Sequence, residues 1–548
     1  MIKLPLQEVN CDLLCIGGGP AGLMAAIRAS ELGSSVIVAE KSNTRGSGSG
    51  SAGNDHIKCY IPEVHGQDPG PARDEFLHAP VGPGRSDLAQ TWVERSFEIV
   101  KLWDSWGIPM QYEGHWEFAG HSFPGKPRIH MKYTGGNQKQ VWTKQALRRK
   151  VRIMNRVTVF ELLKDKDRIV GALGYDTWHD RVIVFRAKAV FLGTGGVSRL
   201  YPSSTPGWMF NVPFWPFNTG DGRAMVYRAG GELCDLELTS QWAGPKYFSR
   251  AGKSTWIGVL RGPDNKPVGP FITKPDKIFG DITSDAWTTV FDDYMQSGRG
   301  PVFMDCRGAS AEDLEYMVHW LRQEGNTGLL DHMAEEGIDP GKNPVEFRTY
   351  EIGLRGGVWW NVKSETSLKG LYSTGDEFGT GMTSAAIWGW IAGESAAEYI
   401  KTVEFSKPVT NKDEIDEKVG VLEDILNRRD GATWKEANIA LQNIVREYCG
   451  LVRSETLLEQ GLKNLGRLKK KVYETISAGN GHELGRSLEV LNLMDTAEAL
   501  MLCARERKET RGRHNRADYP FTNPLLNKKL FIKKKKDKPV FEWKERGK

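Results

Sequence analysis

The sharpest pattern in the chain is an apolar run, Leu13 to Ile16, followed at once by Gly17-x-Gly19-x-x-Gly22. An Ala-rich stretch reaches Leu32, and a second apolar run, Val36 to Ala39, ends at Glu40. This order predicts strand, tight turn, helix and strand, a βαβ unit shaped for a dinucleotide. Gly17 suits the turn, Gly19 lets backbone approach a pyrophosphate, and Gly22 lets the helix pack on the sheet. The pyrophosphate would lie at the helix N-terminus, where free N–H groups and the helix dipole favour negative charge. Glu40 would accept hydrogen bonds from a ribose. An acidic residue there favours FAD or NAD over NADP.

Further along, helical spacing runs from Ser86 to Trp106, with Leu88, Trp92, Val100 and Trp103 near one face, Asp87 at the start and Gly107 as the stop. A second strand-and-glycine segment begins at Ala189 (AVFLGTGGVSRLY). It leads into an aromatic, Pro-rich loop, PSSTPGWMFNVPFWPF, and ends at Asn218-Thr219-Gly220-Asp221-Gly222, before a helix from Arg223 to Ala229. A third such element spans residues 368–400. Three elements so far apart imply a cofactor domain of discontinuous chain, with the stretch between Leu236 and Tyr350 inserted. Beyond Pro408 the spacing is helical.

Composition adds limits. Of the 548 residues 39% are hydrophobic and 26% charged, as in a soluble globular chain, and the length suits two or three domains. No apolar run reaches the roughly 18 residues of a membrane span. The N-terminal segment lacks a signal-peptide core, so a cytoplasmic location is expected. The seven cysteines form no CxxC pair and match no zinc or iron–sulfur spacing. An iron–sulfur relay would therefore need another chain. The formal charge of +5 is uneven: residues 528–548 hold ten Lys/Arg and three Asp/Glu, leaving the body near neutral. That basic tail reads as a solvated end or as a dock for an acidic partner. No nucleic-acid motif accompanies it.

These segments resemble the flavoprotein subunits of the fumarate reductase, succinate dehydrogenase and adenylylsulfate reductase superfamily. The resemblance rests on GGGPAG at 17–22, the TGG of Thr194 to Gly196, FNTGDG at 217–222, KGLYSTGD at 369–376, and ERKETRGRHNRADYP at 506–520. It implies an α/β fold: a bipartite Rossmann-like FAD-binding domain with an inserted α+β capping domain and a C-terminal helical domain. The expected boundaries are 1–235 and 351–405 for the FAD domain, 236–350 for the cap, 406–520 for the helical domain and 521–548 for the tail. FAD contacts are expected from Gly17, Gly19, Pro20, Ala21, Gly22, Glu40, Lys41, Arg45, Gly46, Ser47, Gly53, Thr194, Gly195, Gly196, Asp221, Gly375, Asp376, Ser384 and Ala385.

The departures from the family pattern are informative. The family's flavin-linking His has no counterpart in Arg45-Gly46-Ser47-Gly48, so FAD should be held without a covalent bond. The dicarboxylate-binding His and Arg positions fall on Gln241-Trp242-Ala243-Gly244, on Gly353-Leu354-Arg355-Gly356-Gly357 and on Ile387. Only Arg261-Gly262 resembles the proton-donor arginine. A dicarboxylate needs cations at both ends, which disfavours fumarate or succinate.

The insert between Thr194 and Asn218 looks most like the adenylylsulfate reductase alpha subunit, which pairs with a ferredoxin-like beta subunit carrying [4Fe–4S] clusters. Arg261 and Arg355 are the candidate charge-stabilising or proton-donating groups, and Lys246 and Arg250 the candidate contacts to a small anionic substrate. Trp359, Trp360 and the aromatics of the insert read as core or as a pocket wall. The block from Arg507 to Asp518 reads as an inter-domain salt-bridge network. The leading expectation is a catalytic FAD-dependent alpha subunit with an iron–sulfur partner, within a larger redox complex. The alternatives are a non-catalytic electron relay, a fumarate reductase-like enoate reductase, and a nicotinamide-linked flavin reductase.

Overall fold

The structure, a computed structural model, describes all residues except 52, 79–84, 121–124, 204, 206–207, 247, 249–255, 269–271, 279–293, 296, 376–380, 407–411 and 547–548, and leaves out the side chains of 240–243 and 350–352. Strand β1 (Leu6–Ile16), helix α1 (Pro20–Glu31) and strand β2 (Val36–Glu40) form the expected unit. β1 pairs in parallel with β2 (Leu13↔Val36) and, on its other side, with the strand Arg181–Leu192 (Leu6↔Val182 to Ile16↔Leu192). β1 is nearly all buried where it touches both neighbours, as parallel strands covered on two faces must be. The sheet has seven strands. Arg152–Asn155 extends it beyond β2, and Leu371–Ser373 joins it in parallel beside Val190 to Leu192. Residues more than 350 positions apart in sequence therefore share one sheet. The helix Gly381–Ile400 lies on α1, with Gly389 against Ala21 and Gly393 against Ala25.

The inserted region forms its own four-stranded antiparallel sheet, ordered Thr239–Pro245, Val345–Leu354, Val302–Asp305, Val259–Arg261. The helices Ala311–Gln323 and Thr327–Glu335 join it around a separate core that includes Trp256, Met304, Met317, Leu321 and Phe347. Ser310 caps the first of these helices by accepting from the Asp313 N–H.

Four helices follow: Lys412–Asn427, Trp434–Tyr448, Glu455–Thr475 and Gly481–Glu506. Thr433 and Glu436 make a reciprocal capping box at the second. The last is buried on nearly every side and is the axle of the domain. No described helix is long and apolar enough to cross a membrane. The seven cysteines are buried and form no disulfide.

The basic C-terminal segment is not a loose tail. Lys528–Lys535 and Lys538–Glu545 form a hairpin, turned at Lys536 and Asp537, both with positive φ. Its first strand pairs with Leu233–Cys234, which in turn pairs with Gly357–Val358. Leu530, Phe531 and Ile532 are buried, and Lys533 and Lys544 share Glu232 at 2.9 Å each. The run of lysines hid a three-residue apolar centre that burial holds in place.

Candidate functional site

The site begins at the end of β1. Gly17 has φ +99°, and a Cβ there would lie 2.3 Å from the Gly193 carbonyl oxygen. A Cβ on Gly22 would stand 1.9 Å from the Gly17 carbonyl oxygen, so only glycine lets α1 start this close to the strand. Above Gly19 the space is open to about 4 Å. Gly19 is the N-cap of α1, Pro20 opens the helix, Ala21 is buried behind it, and no side chain caps the first N–H groups. An uncapped helix N-terminus beside an open glycine fits a pyrophosphate. Glu40 is buried and accepts from the N–H groups of Gly18 (2.7 Å) and Ser42 (2.8 Å), which leaves lone pairs on both oxygens for ribose hydroxyls.

Lys139 was not foreseen. Its ammonium donates to the Gly18 carbonyl at 2.5 Å from the helix Gln138–Arg148, and it is almost wholly buried. Burial pulls its pKa down to about 8, against the pull of Glu40. Nothing in the local spacing marks it, because its partner lies 121 residues earlier.

Lys41, Asp221 and Thr219 come together next to the turn. The Lys41 ammonium meets Asp221 at 2.7 Å and Glu489, from the helical domain, at 3.0 Å. Asp221 also accepts from Thr219 (2.9 Å) and Asn492 (2.8 Å). Burial works against the Lys41 charge, but Asp221 and Glu489 outweigh it and raise its pKa.

The remaining loops converge around these groups. The Thr194 hydroxyl accepts from the Gly222 N–H at 2.9 Å. Arg223 donates to the Gly195 carbonyl at 3.0 Å, and Gly196 accepts from the Gly220 N–H. Gly375 stands against Ala385, and Thr374 donates to the Ser384 carbonyl at 3.2 Å. In the glycine-rich loop Ser47 is buried, Arg45 and Gly46 are exposed, and Gly53 closes on the backbone of Gln323 in the inserted domain. Asp376 lies outside the described residues.

The expected substrate residues are not gathered in this way. Arg261 pairs with Asp305 at 3.2 Å and donates to the carbonyls of Asn265 (3.0 Å) and Thr273 (3.1 Å), all within the inserted domain. Lys246 holds both oxygens of Glu346, at 2.8 and 2.9 Å. Arg355 is half-buried, and its N–H donates to Leu238. Arg250 lies outside the described residues. Of the foreseen aromatics, Trp359 and Trp360 sandwich the buried Arg85, at 4.2 and 4.6 Å. Phe210 and Phe217 surround Arg199 together with Trp434, while Trp208 is largely exposed.

A further cluster was also missed. Asp55 is fully buried between His56 Nδ1 (2.6 Å) and the Lys132 ammonium (2.5 Å), on the pair of short strands His56–Lys58 and His130–Lys132. Glu324 of the inserted domain brings a carboxylate oxygen within 4.8 Å of both Asp55 and His56.

Comparison with known proteins agrees with this geometry. The family described as FAD binding domain matches residues 12–387, and the one described as fumarate reductase flavoprotein C-term matches residues 438–545. An L-aspartate oxidase of Vibrio cholerae is 24% identical, the alignment covering 94% of this chain and 96% of that one. The fumarate reductase flavoprotein subunit of Haemophilus influenzae is 23% identical, over 94% and 90%. Among solved structures, the adenylylsulfate reductase of Archaeoglobus fulgidus superposes with a TM-score of 0.84 at 22% identity, over 99% and 96% of the two chains.

Proposed function

The chain belongs to the FAD-binding flavoproteins that end in the fumarate reductase flavoprotein C-terminal domain, and we propose that it exchanges electrons between a small anionic substrate and an iron–sulfur partner subunit. It is a flavin-dependent oxidoreductase. FAD, when bound, takes two electrons together and releases them singly. Gly17, Gly19, Gly22 and the start of α1 would hold its pyrophosphate, and Glu40 a ribose. The loop at Thr194–Gly196, with Gly375, Ser384 and Ala385, would flank the ring. Arg45 to Gly53 contains no His, Cys or Tyr, which supports non-covalent attachment.

The observation that carries the proposal is the turn itself, uncapped and open above Gly19 with a buried carboxylate beside it. Arg355 is the residue we place against the substrate anion, because it lies on the chain between the inserted sheet and the cofactor domain. The adenylylsulfate reductase likeness favours a sulfur oxyanion, and the changed dicarboxylate positions argue against fumarate. One observation favours a second reading, a non-catalytic relay: Arg261 and Lys246, two of the expected substrate cations, are engaged by partners inside the inserted domain.

The test is reoxidation of the anaerobically reduced, FAD-loaded chain. Reoxidation by adenylylsulfate or by an enoate supports a catalytic role and names the substrate class. Reoxidation by a ferredoxin-like protein alone supports the relay. Bleaching of the flavin by NADH without any partner would sink both.

A further inference from the structure

Glu489, which lies outside every flavin-binding motif, stands at the centre of a buried charge cluster. It lies in the helix Gly481–Glu506 and is 1% exposed. Its carboxylate holds three cations: Arg199 at 2.6 Å, Arg486 at 2.6 Å and Lys41 at 3.0 Å. Two of these reach back to the cofactor domain. Lys41 directly follows Glu40 and passes the contact on to Asp221. Arg199 lies three residues beyond Gly196. Asp221 begins the helix whose second residue, Gly222, is held by Thr194. The cluster thus joins the end of β2, the Thr194–Gly196 loop and the Asp221 turn through one helical-domain carboxylate.

Its charge balance is uneven. Among the described residues Lys41, Arg199 and Arg486 face only Glu489 and Asp221, so one positive charge is in excess. Taking these groups out of water costs several kcal/mol per ion, offset only by close pairing. At low effective dielectric an uncompensated charge acts over more than a single contact. Reduction of a flavin adds negative charge to its ring system. A cationic cluster joined to the cofactor loops, as this one is through Lys41, Arg199 and Asp221, favours the reduced form, and the carboxylate inside that cluster limits the effect.

We propose that Glu489 is a positioning residue that sets the redox balance of the flavin from the helical domain, by fixing Lys41 and Asp221 and by offsetting the charge of Lys41, Arg199 and Arg486. The proposal rests on FAD occupying the turn at Gly17–Gly22. Glu489 acts through Lys41 and Asp221, so its removal makes the local field more positive and also changes the place of these two groups. Loss of the carboxylate makes the flavin easier to reduce. Loss of a cation makes it harder. A purely mechanical strut would give no such opposition in sign.

The experiment is an anaerobic titration of the FAD-loaded full chain against a reference dye, read from the flavin and dye absorbances. Glu489→Gln is expected to shift the equilibrium about tenfold toward reduced flavin. Lys41→Met and Arg486→Gln are expected to shift it the other way. Arg486 is partly exposed, so Arg486→Gln keeps the test open if Glu489→Gln does not fold. Asp495→Asn is the control: Asp495 is buried on the same helix and pairs with Arg228 and Lys469 at 2.7 and 2.5 Å. It should lower thermal stability and leave the dye equilibrium unchanged. Equal shifts in all variants, or none in any that bind FAD, overturn the proposal. A wild-type chain that binds no FAD overturns instead the cofactor reading on which it rests.

Discussion

The helical domain carries two buried ionic clusters that mirror one another. At Glu489 one carboxylate gathers three cations. At Arg507, the residue just past the same helix, one guanidinium gathers three carboxylates: Glu237 at 2.5 Å, Glu509 at 2.9 Å and Asp235 at 3.4 Å. The first faces the cofactor loops. The second faces the stretch where chain leaves the FAD domain for the inserted one. Arg507 also donates to the carbonyls of Leu526 and Lys528 and stacks over Trp543, so it fastens the C-terminal hairpin as well. The difference in sign fits the proposed role of each. A cation-rich centre suits the neighbourhood of an anionic, reducible cofactor. An anion-rich centre has no anionic ligand to hold, and its geometry is that of a clamp.

Breaking the clamp should have the largest effect. Arg507→Leu leaves Glu237 and Glu509, both fully buried, without their shared cation. Burial already raises the pKa of Glu237, and Arg507 is the chief opposing influence. Removing one partner of a buried pair costs about 3–5 kcal/mol, to be read from urea denaturation. Adding Glu237→Leu to the same chain should recover part of the loss. A single variant as stable as the wild type would show that Arg507 clamps nothing.

Lys41→Met should cost less, about 1.5–3 kcal/mol, the scale of a lost charged hydrogen bond. Asp221 keeps Thr219 and Asn492, and Glu489 keeps Arg199 and Arg486. Its visible effect should be weaker retention of FAD, measured as flavin bound per chain after gel filtration. A drop in stability as large as that of Arg507→Leu would show that the two clusters do not differ in kind.

The contrast also explains what could be seen in advance. The Gly17–Gly22 turn was legible because its demands are on the backbone: a positive φ at Gly17 and a missing Cβ at Gly22 can be met by one residue type. Arg507 to Asp518 was legible as a block through its likeness to a known pattern. The partners were not. Lys41 meets Asp221 180 residues away, and Arg507 meets Glu237 270 residues earlier. No local period encodes such pairings, since one carboxylate serves an arginine as well as another until the fold brings them together. The partners of Arg261 and Lys246 were hidden for the same reason. A charge in sequence gives no sign of whether a neighbour in space already holds it. The C-terminal hairpin was obscured by composition, because the net charge of its lysines outweighed the short apolar run that anchors it.

The clamp should also differ in its response to pH. His514 is fully buried, and burial followed by the charge of Arg453 pushes its pKa down to about 2. It is therefore neutral, accepting from Arg453 at Nδ1 (3.0 Å) and donating from Nε2 to the Arg507 carbonyl (2.9 Å). The folded state refuses a proton that the unfolded chain accepts near pH 6.5. The stability this gives is complete above that value and falls as the pH drops below it, by up to about 1.4 kcal/mol per pH unit. Urea denaturation between pH 7 and 5 should show the slope, and His514→Asn should flatten it. Glu489, held down to about 2 against burial by Lys41, Arg199 and Arg486, keeps its contribution across that range and loses it only at lower pH.

The smallest expected effect sharpens the comparison from outside both clusters. Lys246 and Glu346 form an ion pair with about a third of each side chain exposed. Water and salt screen such a pair, so Lys246→Ala should change stability by about 0–1 kcal/mol. Any effect of that substitution on turnover then belongs to contact with substrate and not to a weakened fold. A chain that keeps its stability and its FAD but takes up a small oxyanion more weakly would put Lys246 in the site, with Glu346 a resting partner that the substrate displaces. Unchanged uptake would leave Lys246 an ordinary surface pair. Substrate charge would then fall to Arg355 or to Arg261 among the described candidates, and Arg261 would have to leave a buried carboxylate and two carbonyls to reach a ligand.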